Sequence, residues 1–253
     1  MSTQCAFLVG HDRCRHPAPL QGFTLVEMSV VLVIAGLISW ALTAGYAATF
    51  DQRDRDAARR HGEMLQTQIH IFALTHQRLP CPAANTSGYE DLSAGNCQRA
   101  VGYFPYVALG LDLPTAPLHA YYAVYRQANA TPTADADLAV RKERTGDSPG
   151  DTHYQDVYDL IAALNNLAGR TPNNQYTYLV NGTTCGSAAS QPAYWLILPL
   201  EDRDGNGQRL DAPHSAAIWC AVDPAVDMSP VRDDVVLAAS PAALTGWLKS
   251  HLP

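Results

Sequence analysis

From Met28 to Phe50 the chain runs for twenty-three residues without Asp, Glu, Lys, Arg or Pro. At 1.5 Å per residue such a run makes about 35 Å of helix, enough to cross a hydrocarbon core of roughly 30 Å with some tilt. Directly ahead of it stands Glu27. An ionised side chain in hydrocarbon costs at least about 2.5 to 3.5 kcal/mol, so a carboxylate in that place is expected to meet a partner. Arg13 and Arg15 precede the run, and by the positive-inside rule they hold the front of the chain on the cytoplasmic side. Everything after Phe50 is then expected outside the cytoplasm.

Three processing schemes fit a front of this kind. A cleavable signal peptide would be cut after the apolar run, where Gly45-Tyr46-Ala47 offers a small-x-small site. A plain single-pass anchor would not be cut. Both leave Glu27 without a role. In the third scheme the cut falls before the run, at Gly22, and the helix stays with the mature protein.

The six residues Gly22-Phe23-Thr24-Leu25-Val26-Glu27, followed in register by the apolar run, resemble the class III signal of type IV prepilins and type II secretion pseudopilins. The resemblance implies cleavage between Gly22 and Phe23 by a prepilin peptidase and N-methylation of the new amine of Phe23. It also implies that Glu27 attracts the N-terminal amine of a neighbouring pilin or pseudopilin subunit. A carboxylate and an ammonium that are each costly in lipid become tolerable as a pair, so the same charge would couple membrane extraction to docking. The implied organisation is a cytoplasmic leader at 1–22, a transmembrane half-helix at 23–50 in contact with inner-membrane lipid, an amphipathic half at 51–79, and a periplasmic or extracellular head at 80–253. The implied fold is α+β, a long N-terminal helix packed on an antiparallel sheet with additional short helices.

The rest of the chain reads as one globular body. Ala58, Gly62, Leu65, Ile69 and Phe72 recur at helical intervals, which continues the first helix along one apolar face until Leu79-Pro80 ends it. The segments Leu79-Pro80-Cys81-Pro82, Gly102 to Leu111 and Asp233 to Leu237 also resemble a subset of pilin-like proteins. Ala120 to Arg126 has strand content, Ala128 to Gly150 is polar enough for a surface loop with one helical turn within Leu138 to Arg144, and Gln155 to Ala168 carries a helical stripe closed by Gly169 as a left-handed cap. Tyr176–Val180, Tyr194–Leu200, Ala216–Val222 and Val235–Ala238 are strand candidates for an antiparallel sheet. Ser240-Pro241 caps a terminal helix reaching His251. Trp195, Trp219 and Trp247 fall in these elements and are expected in the core, though an exposed one would suit adhesion.

Four cysteines lie in the body, Cys81, Cys97, Cys185 and Cys220, an even number that suits an exported, oxidised domain. Of the three possible connectivities, Cys81 with Cys97 and Cys185 with Cys220 are favoured, because each pair brackets one local segment. No C-x-x-C spacing suggests zinc.

The sharpest site-like motif is Asp202-Arg203-Asp204-Gly205-Asn206-Gly207, with Asp211 further on. D-x-D-x-N-G opens a calcium loop, with Asp202, Asp204, Asn206 and Asp211 as candidate ligands, but Pro213 stands where a closing bidentate acid belongs. The same residues also build hairpin turns, and both readings stand. No cofactor is required, and calcium is the one candidate. No catalytic motif of the nucleophile-elbow, zincin or P-loop kind occurs, so an enzyme is not expected. A net charge of −7 and the absence of a basic stripe disfavour a nucleic-acid partner. The expected function is that of a minor pilin or pseudopilin in a type IV pilus or type II secretion pseudopilus. The competing one is a secreted or anchored adhesive or calcium-dependent binding protein that does not polymerise.

Overall fold

The computed structural model describes residues 24–115, 118–146, 155–203, 205–214, 219–226, 229 and 231–252; for 43–48 it describes the backbone alone. One long helix, α1 (Leu25–His76), opens the described chain. The chain divides into two compact units, Met1–Phe50 and Asp51–Pro253. In the first, the stretch Leu25–Leu42 has a mean hydropathy of 2.2, and none of it is buried within the protein. Leu32, Ile34, Leu37, Trp40 and Leu42 all stand exposed. A continuous apolar surface of this size needs lipid or other helices around it.

The second unit is built on a four-stranded antiparallel sheet of order β10-β8-β4-β3, made of β3 (Val101–Tyr103), β4 (Tyr121–Val124), β8 (Tyr194–Leu198) and β10 (Val235–Ala239). Successive side chains of a strand point to opposite faces. Tyr122, Val124, Tyr194, Leu196 and Leu198 therefore meet a helical layer, where Leu65 and Ile69 of α1, Leu160 and Leu164 of α2 (Val157–Ala168) and Leu244 and Leu248 of α3 (Pro241–Ser250) are buried in the same core. Burying each such side chain contributes about 1.5 to 3 kcal/mol. At Gly62 α1 lies close against the sheet: a Cβ there would lie 2.4 Å from Leu237 Cδ1.

The opposite face carries Tyr121, Ala123, Trp195 and Ile197, covered by Leu179, Leu210 and Ala221. Leu179 and Ala221 come from a separate two-stranded layer, β7 (Tyr178–Val180) and β9 (Cys220–Val222). With both faces covered, β4 and β8 are buried along their whole length, which is why they read as continuous apolar runs rather than alternating ones. The β7–β9 pair is parallel, unlike the antiparallel arrangement expected throughout. The connection between the two contains all of β8 and is long enough for the crossover that a parallel pair requires. Disulfides join Cys81 to Cys97 and Cys185 to Cys220, with Cα atoms 5.5 and 6.0 Å apart. The first joins the segment that follows α1 to β2 (Asn96–Cys97), which pairs with β1 (Leu92–Ser93); the second ties the start of the crossover to β9.

Four local expectations are corrected. The segment read as a surface loop from Ala128 is instead partly interior as far as it is described: β5 (Arg126–Gln127) pairs with β6 (Ala136–Asp137), and Asp135, Asp137, Leu138 and Arg144 are buried. Arg144 donates from Nε to Asp135 Oδ1 at 2.7 Å and from Nη2 to the Asp137 carbonyl at 2.7 Å, so the polar residues there satisfy one another rather than water. No helical turn forms within 138–144; the short 3-10 turn lies earlier, at Pro132–Ala134. Gly169 ends α2 with right-handed angles, φ −80° and ψ 0°, because its N–H already reaches the carbonyls of Asn165 and Leu167. Trp219 lies just ahead of β9 and is 43% exposed rather than in the core, and 216–218 lie outside the described residues.

Candidate functional site

The first site lies at the start of α1. Thr24 precedes the first helical residue, and its carbonyl accepts the N–H of Met28 at 3.1 Å. Its hydroxyl oxygen accepts the N–H of Glu27 at 3.2 Å. In return Glu27 Oε2 accepts the Thr24 N–H at 2.9 Å and the Thr24 hydroxyl at 3.0 Å. This is a reciprocal capping box, which satisfies donors that a helix start leaves free and places a negative charge at the positive end of the helix dipole. The T-x-x-E spacing that produces it was in the sequence, hidden by the interest of Glu27 as a membrane charge. Glu27 therefore has a partner within its own chain. Its other oxygen, Oε1, takes no hydrogen bond among the described residues. Gly22 and Phe23 lie outside them.

The second site is a cluster of acids in the head. Asp211, Asp233 and Asp234 are buried, and each offers an oxygen within 4.8 Å of the others. Among the described residues the motif from 202 to 211 contributes one member, Asp211. Asp202 turns back on its own loop, accepting the N–H groups of Asn206 at 3.0 Å and Gly207 at 2.9 Å. Asn206 Oδ1 accepts the N–H of Gln208 at 2.7 Å. Gly205 and Gly207 take φ of +72° and +81°, as tight turns of Asp-Gly and Asn-Gly require. Asp204 lies outside the described residues. Asp233 and Asp234, far along the chain, were not legible as companions of Asp211, because only the entry into β10 brings them there.

Most oxygens of the cluster already accept N–H donors. Asp211 takes the backbone N–H of Arg203 at 2.8 Å and of Asp233 at 2.9 Å. Asp233 takes the Glu201 N–H at 3.2 Å and Arg203 Nε at 2.7 Å. Arg203 also reaches Asp51 at 3.1 Å, so this one guanidinium ties α1, the 202–211 loop and the approach to β10 together. Asp234 Oδ2 accepts from the Asp211 N–H at 3.0 Å and faces His214 Nδ1 at 2.9 Å. The N–H of Val222 donates to His214 Nε2 at 3.1 Å, which fixes the tautomer: Nδ1 carries the proton and donates to Asp234. Burial pushes the His214 pKa down to about 3 and the Asp234 pKa up to about 8, the latter helped by neighbouring Asp211. Asp234 Oδ1 is buried and has no partner among the described residues. Calcium takes six to eight oxygen ligands. Asp211, Asp233 and Asp234 are the residues that would hold it, but the surrounding N–H donors and Arg203 suit a hydrogen-bonded clasp better than an oxygen cage.

One family model matches the chain, the prokaryotic N-terminal methylation motif, over residues 21–43. The match covers Gly22, Phe23, Thr24 and Glu27 together with much of the exposed apolar helix. Comparison with curated proteins and with solved structures returns no match.

Proposed function

We propose that this chain, a type IV pilin-like protein processed as a prepilin, is a minor pilin or pseudopilin. In this reading its first helix stands in the inner membrane before assembly with the head in the periplasm, and it enters a pilus or secretion pseudopilus through Phe23 and Glu27. The observation that carries the reading is the coincidence of the methylation motif with a lipid-length exposed helix headed by a carboxylate. The capping box supports it further. By giving Glu27 a local partner it lowers the cost of an acid waiting in the membrane, and Oε1 is left for the amine of a neighbour. The role is structural, with the head displayed by the assembly helix.

The test is processing. Gly22→Ala should leave full-length chain in the inner membrane, whereas the unaltered chain is trimmed only where prepilin peptidase is present. Trimming to the same size without that peptidase would refute the reading. The competing reading, an adhesive or calcium-dependent binding protein that stays unpolymerised, gains its support from the exposure of Trp219.

A further inference from the structure

A recess of about 560 Å³ opens on the head, within the roughly 300 to 1,000 Å³ usual for ligand sites. The stretch of α1 from Asp51 to His61 lines one side, and Leu118, Leu198, Pro199 and Leu200 supply an apolar surface. The charges around it are mixed, three arginines against four carboxylates. Arg203 is taken up by Asp51, Glu201 and Asp233, at 3.1, 3.3 and 2.7 Å. Arg55, by contrast, is half-buried and makes no ion pair or hydrogen bond among the described residues, and neither does its exposed neighbour Asp54.

A partly desolvated guanidinium with no acid to meet it calls for an anionic oxygen, and a phosphate fits its fork with two bonds. The lining as a whole does not favour a net anion, because its carboxylates outnumber its arginines. A group that carries a phosphate and an ammonium together matches both Arg55 and Asp54. The apolar surface beside them suits a hydrocarbon chain.

Position along the chain selects the source of such a group. Asp51 directly follows Phe50, the last residue of the apolar run. Arg55 lies further along the same continuous helix, about 7.5 Å beyond Phe50 at the helical rise. The headgroup layer adds roughly 5 to 7.5 Å to each side of the hydrocarbon core, so Arg55 stands at phosphate depth when the run spans the membrane.

We infer that the recess holds one phospholipid from the outer leaflet of the inner membrane, with a zwitterionic headgroup. Its phosphate sits on Arg55, its ammonium faces Asp54, and part of an acyl chain lies against Leu118 and Leu200. The inference rests on the membrane placement in the reading above. Such a lipid braces α1 against the segment that follows β8 while the chain stands in the membrane.

The test uses the full chain in vesicles of equal phosphatidylethanolamine and phosphatidylglycerol. A photoreactive benzoylphenylalanine replaces Leu118 or, separately, Leu32 in the apolar helix. Leu118 lines the recess and is 47% exposed, so its replacement spares the core. Both sites should give phospholipid adducts by mass spectrometry, in the vesicle's own proportion at Leu32. At Leu118 phosphatidylethanolamine should be in excess at least about threefold. Arg55→Gln should cut the Leu118 adduct at least about fivefold and leave the Leu32 adduct unchanged, and Arg55→Lys should restore most of it. Lipid adducts at Leu32 with none at Leu118 would overturn the site and leave the membrane reading standing. Adducts at neither position would overturn both. Phosphatidylglycerol equal or in excess at Leu118, or a polypeptide adduct there, would overturn the choice of occupant. An Arg55→Gln chain that labels like the unaltered one would overturn the role of Arg55.

Discussion

Thr24 and Glu27 grip each other across the first turn of α1: the hydroxyl and the N–H of Thr24 both donate to one oxygen of the Glu27 carboxylate, and the N–H of Glu27 returns the contact. The acid is thus oriented before any neighbour arrives. If processing acts at Gly22 as proposed, removing the charge should spare it and damage assembly. Glu27→Gln is expected to be trimmed normally and to reach filaments at least about tenfold less than the unaltered chain, since a lost ionic partner in lipid is worth more than 1.4 kcal/mol. Quantifying the processed chain in filament and membrane fractions checks it, and Thr24→Ala should fall between the two.

Arg144 and Asp135 form an ion pair with both side chains buried. Replacing one partner leaves the other charge stranded, so Arg144→Met should cost about 3 to 5 kcal/mol of head stability. Lys142, 3.1 Å from Asp135, keeps the loss toward the lower figure. Denaturant unfolding of the detergent-solubilised chain measures it.

Acid should weaken the head through two histidines. His214 is held neutral by burial, and His70, hydrogen-bonded to the Tyr194 hydroxyl at 2.7 Å, is lowered to about 4 by burial and by His251. In both cases the folded pKa lies below the unfolded value, so the unfolded chain binds more protons. Stability is then complete above about pH 6.5 and falls as the pH drops toward 4 and 3. Asp234 acts in the opposite sense. Raised to about 8, it holds its proton in the fold and loses stability as the pH rises from about 4 to 8. The two effects set an optimum near pH 6.5 to 7. In thermal melts across pH, His214→Gln should flatten the acid limb and Asp234→Asn the alkaline one.

Gly102 lies where β3 meets Ala83, and a Cβ there would come 2.3 Å from the Ala83 carbonyl oxygen. The obstacle is backbone, so Gly102→Ala should destabilise by about 1 to 3 kcal/mol and open the closed edge of the sheet. Thermal unfolding and faster exchange of the Tyr103 amide would both report it.

If the acids form a clasp rather than a calcium cage, Asp211→Asn should lower the melting temperature by the same amount with calcium and with chelator. A calcium-dependent difference would revive the cation reading.

Much of the fold was legible because its signals were local. The apolar run predicted the exposed first part of the helix α1, and the recurrence of Leu65, Ile69 and Phe72 predicted its buried face. Ser240 caps α3 by accepting the Ala243 N–H at 3.1 Å, as its place before Pro241 suggested. What escaped was long-range. The polarity of Ala128 to Gly150 looked like solvent exposure, yet Asp135 pairs with Arg144 and Asp137 with Arg126 inside the fold. Likewise D-x-D-x-N-G looked like a closed site within one loop, while the structure sends Asp202 to cap the turn and Asp211 to meet Asp233 and Asp234. Charges that recognise each other across the fold leave no periodic trace.

The central claim is that the apolar helix belongs to the mature protein and is released from its leader for assembly. Mass spectrometry of the N-terminus of the protein isolated from membranes decides it. The account predicts a chain beginning at N-methylated Phe23; a chain beginning near Ala48, with the helix gone, would contradict it.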